Sequence, residues 1–289
     1  MQSRMHYAAG HMTLRSAIQE HDGRLSAADQ RLIAELLGSP AEAAFLSAAE
    51  LAARGGVHQA AATRLAKKLG YRGYPHLRSD LQSELLDSIG PGERVRRRLA
   101  HTDGEGVLAS MVADEVAALA DLPSQVRQEH LDTAARLISS ANRIFLFGHG
   151  HATALVDLLA RRLRRSGHLA VPLVGSPRDL AEEVALLAAD DLVVAFAFHR
   201  RPPGLRSVLR RAADGGARTL LIADAVGPLL RPQPTVLLAA RRGIETEFQS
   251  LTVPMAICNA LVLTLARLDP GSMSALDRLT GLIDEFESE

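Results

Sequence analysis

From residue 15 to residue 86 the apolar positions recur at three- and four-residue spacing with short interruptions, and no run alternates apolar and polar residues as a half-buried strand does. This front region is expected to be all-helical. Further along the pattern changes. Short apolar runs at 143–147, 169–174, 192–198, 219–223 and 235–239 alternate with helical stretches, the pattern of a parallel sheet covered by helices on both faces. Amphipathic stretches at 107–122 and 126–140 precede the first run, and two more at 247–267 and 273–286 close the chain. Between the two patterns, residues 88–106 are polar, with four glycines, one proline and an arginine cluster, the composition of a linker. The expected fold is an all-α domain over 1–90, a linker and bridging helix over 91–122, and an α/β parallel-sheet domain of three αβα layers over 123–289.

Composition narrows the function classes. The 289 residues carry 33 Lys+Arg against 33 Asp+Glu, so there is no uniformly basic coat and charge has to be read segment by segment. The single cysteine, Cys258, excludes an intramolecular disulfide and a multi-cysteine metal cluster, and its neighbours Ala256 and Ile257 mark it as a packing residue. The most apolar stretch, 253–265, is too short to span a bilayer and contains Pro254, Asn259 and Thr264. The first ten residues include Arg4 and His6 without an apolar core, and are expected to be a ragged tail rather than a secretory signal. A cytoplasmic protein with no membrane partner is the expectation.

Ser47 and Glu50 have capping-box spacing and start a helix, with Leu46 and Leu51 placed as a hydrophobic staple; the helix stops at Arg54-Gly55-Gly56. A second helix runs over 58–69 and ends at Gly70, which suits a left-handed terminus. Helix, glycine turn and helix make the helix-turn-helix layout. In the second helix Ala62, Leu65, Ala66 and Leu69 form the inward stripe, leaving Gln59, Ala60, Thr63, Arg64 and Lys67 outside. Between residues 54 and 78 stand six basic residues (Arg54, Arg64, Lys67, Lys68, Arg72, Arg78) and no acid, a local excess of positive charge that suits a phosphate backbone. Tyr71, Tyr74 and His76 follow, and aromatic residues after a short helix are expected to be packed.

The strings Leu25-Ser-Ala-Ala-Asp-Gln-Arg-Leu-Ile-Ala, Phe45-Leu-Ser-Ala-Ala-Glu-Leu-Ala and Gly56-Val-His-Gln-Ala-Ala-Ala-Thr-Arg-Leu-Ala-Lys-Lys-Leu-Gly-Tyr-Arg-Gly-Tyr together resemble the N-terminal domain of the MurR/RpiR family of bacterial transcriptional regulators. Where that family usually has Ser, this chain has His58; where it has a β-branched residue, this chain has Ala62. The resemblance implies that His58 opens the recognition helix, that Gln59, Ala60, Thr63 and Arg64 face base edges in the major groove, and that Lys67, Lys68 and Arg72 lie nearer phosphates. The chemistry agrees, since Gln pairs with adenine and Arg with guanine in bidentate fashion while Lys serves as a point charge. The implied partner is a double-stranded DNA operator. Recognition helices work in pairs on two-fold sites, so a homodimer or homotetramer is expected, with 107–122 and 247–267 as candidate assembly helices.

In the rear half, residues 143–153 read as a strand feeding a glycine loop that opens a helix, and helix N-termini bind anions. A dinucleotide fold would place a third glycine where Thr153 stands and an acid near Val174-Gly175, so no nicotinamide cofactor is expected. The segments Gly148-His-Gly150, Asp191-Leu-Val-Val-Ala-Phe and Gly216-Ala217-Arg-Thr-Leu-Leu-Ile-Ala-Asp224 instead resemble the sugar isomerase (SIS) domain, which MurR/RpiR regulators carry behind their DNA-binding part. The SIS pattern has a serine after the glycine loop and a Ser-x-Ser-Gly-x-Thr segment ending the third strand; here stand Ala152 and Ala197-Phe198-His199-Arg200-Arg201-Pro202, with Thr153 the remaining hydroxyl. The effector site expected from the resemblance comprises Gly148, His149, Gly150, His151, Thr153, His199, Arg200 and Arg201. Its guanidinium and imidazole groups would hold a small anionic effector, a phosphosugar or a carboxylate, by charge-assisted bonds. His149, His151 and His199 also raise a metal-sensing alternative.

An SIS-fold sugar-phosphate isomerase is the other alternative. The glutamate that SIS isomerases use would fall on Glu245 or Glu247, but Thr246 to Gln249 has capping-box spacing, which explains both as residues at a helix start. Glu182 and Glu183 read as a solvated helix face, and Asp190 and Asp191 as a turn before a strand. No catalytic residue, cofactor or metal is assigned, and a regulator rather than an enzyme is expected.

Overall fold

The computed structural model describes residues 14–288 apart from 22, 24, 103–105 and 245; the N-terminal tail and Glu245 therefore lie outside the described residues. The chain divides into two compact units, Met1–Gly90 and Pro91–Glu289.

The first unit is helical throughout: α1 (Leu14–His21), α2 (Ala27–Gly38), α3 (Pro40–Ala43), α4 (Ala48–Arg54), α5 (Ala60–Lys68) and α6 (Tyr74–Ser88). Two capping boxes fix helix starts, one at Ser26 and Asp29 for α2 and the expected one at Ser47 and Glu50 for α4. The core between the helices is built from Leu32, Leu36, Leu51, Leu65, Leu69 and Leu77, all fully buried, with Leu46 packed against it.

The second unit begins with α7 (Pro91–Ala100) and α8 (Val107–Gln125), followed by α9 (Gln128–Ser139), β1 (Ile144–Phe147), α10 (Thr153–Arg165), β2 (Ala170–Leu173), α11 (Pro177–Ala185), β3 (Leu192–Ala197), α12 (Leu205–Asp214), β4 (Arg218–Ala223), β5 (Val236–Ala239), α13 (Thr252–Leu268) and α14 (Pro270–Glu287). The strands pair in parallel in the order β2-β1-β3-β4-β5. Alternation along β1 and β3 sorts the side chains into two layers of core. Ile144, Leu146, Val194 and Phe196 share one cluster with residues of α9, α10 and α13, whereas Phe145, Phe147, Val193 and Ala195 share the other with α12. This is the expected three-layer αβα arrangement, with strand ends within two residues of those read from the sequence.

Three expectations are corrected here. Residues 91–100, read as part of a linker that leads into a bridging helix, form a helix of their own, α7, on which Glu93 bonds Arg96 and Arg97 one turn on; α7 falls in the second unit. Helix α13 starts at Thr252, not at 247, so no capping box forms at Thr246. Asp191 is no simple turn residue: fully buried, it takes two bonds from Arg143 (Nε to Oδ1 3.0 Å, Nη2 to Oδ2 2.7 Å) and one from the Ala188 N–H. Burial alone would raise its pKa, but these bonds outweigh it and hold the carboxyl below its ordinary value. Among the described residues no single helix is long and apolar enough to cross a membrane.

Candidate nucleic-acid interface and effector site

Helix α4 ends in a turn in which Gly56 takes a left-handed conformation (φ 58°), and the Val57 N–H closes back on Ala52 O at 3.0 Å. The recognition helix α5 begins at Ala60, two residues later than read from the sequence. His58 supplies its cap: the ring Nδ1 accepts from the Ala60 N–H at 3.2 Å and the carbonyl accepts from the Ala61 N–H at 2.8 Å. An imidazole thus does here what a serine hydroxyl does at a usual helix start. The helix ends as expected at Gly70 (φ 85°), with Tyr71 N–H bonded to Ala66 O at 2.9 Å.

Ala62, Leu65, Ala66 and Leu69 are fully buried, so the inward stripe is as read. His58, Gln59, Arg64, Lys67 and Arg72 are exposed, while Ala60, Thr63 and Lys68 are half-buried. Two cations of the basic patch are already engaged: Arg54 donates to Glu42 at 2.7 Å, and Lys68 is bound by Asp29. Lys68, placed among the phosphate contacts by the resemblance, is half-buried and ion-paired with Asp29 of α2. Tyr71 and Tyr74 are buried, the latter donating its hydroxyl to Leu46 O at 3.0 Å, and His76 stands edge-on to Tyr71.

In the second unit, the loops after β1 and β3 leave adjacent strands at their carboxyl ends, beside the point where the chain order reverses, β2 lying to one side of β1 and β3 to the other. Ligands of open parallel sheets bind at such a point. Gly148 is there for space: a Cβ would stand 2.8 Å from Val156 Cγ2 and 3.1 Å from Ala152 O. Gly150 takes φ 61°, and the Thr153 hydroxyl donates to its carbonyl at 2.8 Å, stiffening the loop at the start of α10. His149 and His151 are exposed, as are Arg200 and Arg201.

His199 is the described non-glycine residue with a positive φ, 67°. Its N–H donates to Asp224 Oδ2 at 2.7 Å, and Arg94 donates to its Nε2 at 2.7 Å. Among the described residues no three metal-ligating side chains converge, so the structure does not gather His149, His151 and His199 into a metal site. Sequence reading missed the groups that hold this loop. Asp224 follows β4 and also takes Arg242 (Nη2 to Oδ2 2.8 Å), both side chains 7% exposed; the Arg242 guanidinium lies 4.8 Å from the Phe198 ring centroid and donates to Ser250 O at 3.0 Å. An acid immediately after an apolar strand was the signal available for Asp224; nothing local marked Arg242 as its partner.

Comparison with known proteins agrees with both halves. Residues 12–88 match the helix-turn-helix domain of the rpiR family, and residues 137–264 match the SIS domain. The chain is 28% identical over 201 residues, 68% of each chain, to YfhH of Escherichia coli K12, an uncharacterized HTH-type transcriptional regulator. It is 27% identical over 216 residues, 74% of each chain, to the HTH-type transcriptional regulator HexR of Pseudomonas aeruginosa. The Vibrio vulnificus NanR protein, solved in complex with ManNAc-6P, has the same fold at 17% identity, with a TM-score of 0.56 over 92% of this chain and 96% of that one.

Proposed function

Because this chain belongs to the MurR/RpiR family of transcriptional regulators, we propose that it is a cytoplasmic, sequence-specific DNA-binding regulator whose SIS domain senses a small anionic metabolite. The observation that carries the reading is the pairing of an exposed Gln59, just before α5, and Arg64 and Lys67 on α5 with a stiffened glycine loop at the sheet's switch point, on a chain of this family. Gln59, Thr63 and Arg64 read base edges; Lys67 and Arg72 meet phosphates. The effector sits on the backbone of Gly148 to Thr153 and on Arg200 and Arg201, whose guanidinium groups replace the missing hydroxyls. A phosphosugar is the first class to try, since NanR is solved with one. The protein acts as a binder and not as an isomerase.

Helix α8 carries exposed Leu108, Val112 and Val116 at four-residue spacing, an apolar stripe through which two copies associate and present paired recognition helices. Effector binding biases the spacing of those helices and so couples pocket to operator.

The test uses the full chain. Bound sequences are selected from a random DNA library, and the affinity for the selected duplex is measured by fluorescence anisotropy with and without ManNAc-6P, other phosphosugars and small carboxylates. Arg64→Ala should weaken the selected duplex at one position by about 1–3 kcal/mol. No selectable sequence, or equal affinity at every concentration of every anion tried, rejects the reading.

A further inference from the structure

Helix α7 is the first element of the second unit, joined through Pro91 to Gly90, where the first unit ends. All ten of its residues are exposed or half-buried, its apolar Val95 and Leu99 among the exposed ones. Polar contacts, rather than apolar packing, therefore seat it. At its far end Arg98 is bound to Asp114, and His101, just beyond the helix, stands 2.5 Å from Glu247 Oε1. Nearer its start the Arg94 carbonyl accepts from the Phe248 N–H at 3.3 Å, and the Arg94 guanidinium donates to His199 Nε2 at 2.7 Å. An element with so little buried apolar surface shifts at low cost.

The two partners in the last contact differ in how they are held. His199 is fixed in a left-handed conformation (φ 67°), its N–H bound by Asp224, which is itself paired with the buried Arg242. Arg94 is half-buried, at the end of a long side chain on the loosely seated helix. A guanidinium only donates, so Nε2 accepts with its lone pair, and in this contact Arg94 meets an imidazole rather than a carboxylate. A phosphate or carboxylate is the stronger acceptor, because the bond is charge-assisted and the planar fork can make two in parallel. Arg200 and Arg201, the exposed cations assigned to the anionic effector, directly follow His199 in the chain.

We propose that Arg94 is a further effector ligand: an anion on this loop takes its guanidinium from His199, and α7 moves with it. Binding at the loop thus acts directly on the helix to which the DNA-binding unit is joined. His199 competes with the anion for Arg94 and sets how much anion is needed. This inference rests on the reading of the chain as an anion-responsive regulator and names the residue through which the response leaves the loop.

The test uses the full chain at constant ionic strength, with ManNAc-6P, inorganic phosphate and citrate as probes. Anion affinity is read by calorimetry, and affinity for the selected duplex by anisotropy with and without saturating anion. Arg94→Ala should bind the anion at least tenfold more weakly and bring the two duplex affinities within twofold of each other. His199→Asn keeps a residue that tolerates the left-handed backbone but is too short to hold the guanidinium. It should bind the anion at least threefold more tightly, a gain that a purely structural contact would not give, and it serves where Arg94→Ala fails to fold. Arg96→Ala, an exposed change on the same helix, should respond as the wild type does. Undiminished anion binding in folded Arg94→Ala, or binding in His199→Asn no tighter than in the wild type, overturns this proposal and leaves the regulator reading standing. A wild type whose duplex affinity answers to no anion overturns that reading, and this proposal with it.

Discussion

The ammonium of Lys68, at the end of the recognition helix, is bound by the carboxylate of Asp29, the residue that also closes the capping box of α2. Burial alone would raise the Asp29 pKa, but Lys68 and the Ser26 bonds outweigh it and hold it below the ordinary value. One ion pair thus ties α5 to α2, and the charge of Lys68 is met by a carboxylate of its own unit.

Lys67→Ala and Lys68→Ala should therefore differ in kind. The first is expected to lower affinity for all duplexes and to reduce the salt slope of binding by about one, with melting unchanged. The second should lower the stability of the first unit by about 1 kcal/mol, a figure held down because Lys68 remains a third exposed. The stabilisation by this pair is fully present above about pH 4 and is lost as pH falls through the lowered Asp29 value. Acid titration of the melting temperature, wild type against Lys68→Ala, checks the sign.

Asp224→Asn leaves the Arg242 guanidinium buried without a counter-charge and takes the charged acceptor from the His199 N–H. A loss of about 3 kcal/mol from the second unit is expected. Urea unfolding of that unit is the measurement, and Asp224→Asn with Arg242→Gln should cost less than the two single changes added together.

Gly148→Ala should overpack the loop, because the new Cβ stands 2.8 Å from Val156 Cγ2, closer than real Cβ atoms come without movement, and tightly against the Ala152 carbonyl at 3.1 Å. A destabilisation of about 1–3 kcal/mol is expected, together with a weakened anion response. Unchanged melting would show that the loop yields easily.

His168 packs at the start of α14, with Nε2 3.3 Å from Ser272 Oγ and 3.5 Å from Asp269 Oδ2. Burial lowers its pKa below the ordinary 6.5, and Asp269 opposes this only in part. The folded state thus prefers the neutral ring. Its contribution is whole above about pH 6.5 and is lost as pH falls toward the lowered folded value. The melting temperature of the second unit should fall between pH 7.5 and 5.5, with a shallower slope in His168→Gln; equal slopes would exclude this residue as the cause.

Local sequence determined much of this protein. Capping boxes at Ser26 and Ser47, left-handed glycines at 56 and 70, the stripe from Ala62 to Leu69 and the alternation along β1 and β3 are short-range features, each fixed by residues within a turn or a strand of one another. They were enough to give the helical front, the parallel sheet behind it and the positions of the two candidate sites. Tertiary structure decided the pairings of charges. Lys68 with Asp29, Arg143 with Asp191 and Arg242 with Asp224 join residues far apart in the chain, and whether a charged side chain faces solvent or a buried partner depends on packing that no local pattern encodes. The same holds for Glu247. Its spacing from Thr246 and Gln249 read as a helix cap, but the chain turns it inward against His101 and Arg98 and starts α13 five residues later, at Thr252, since burying a paired carboxylate there is a property of the fold and not of the tetrapeptide.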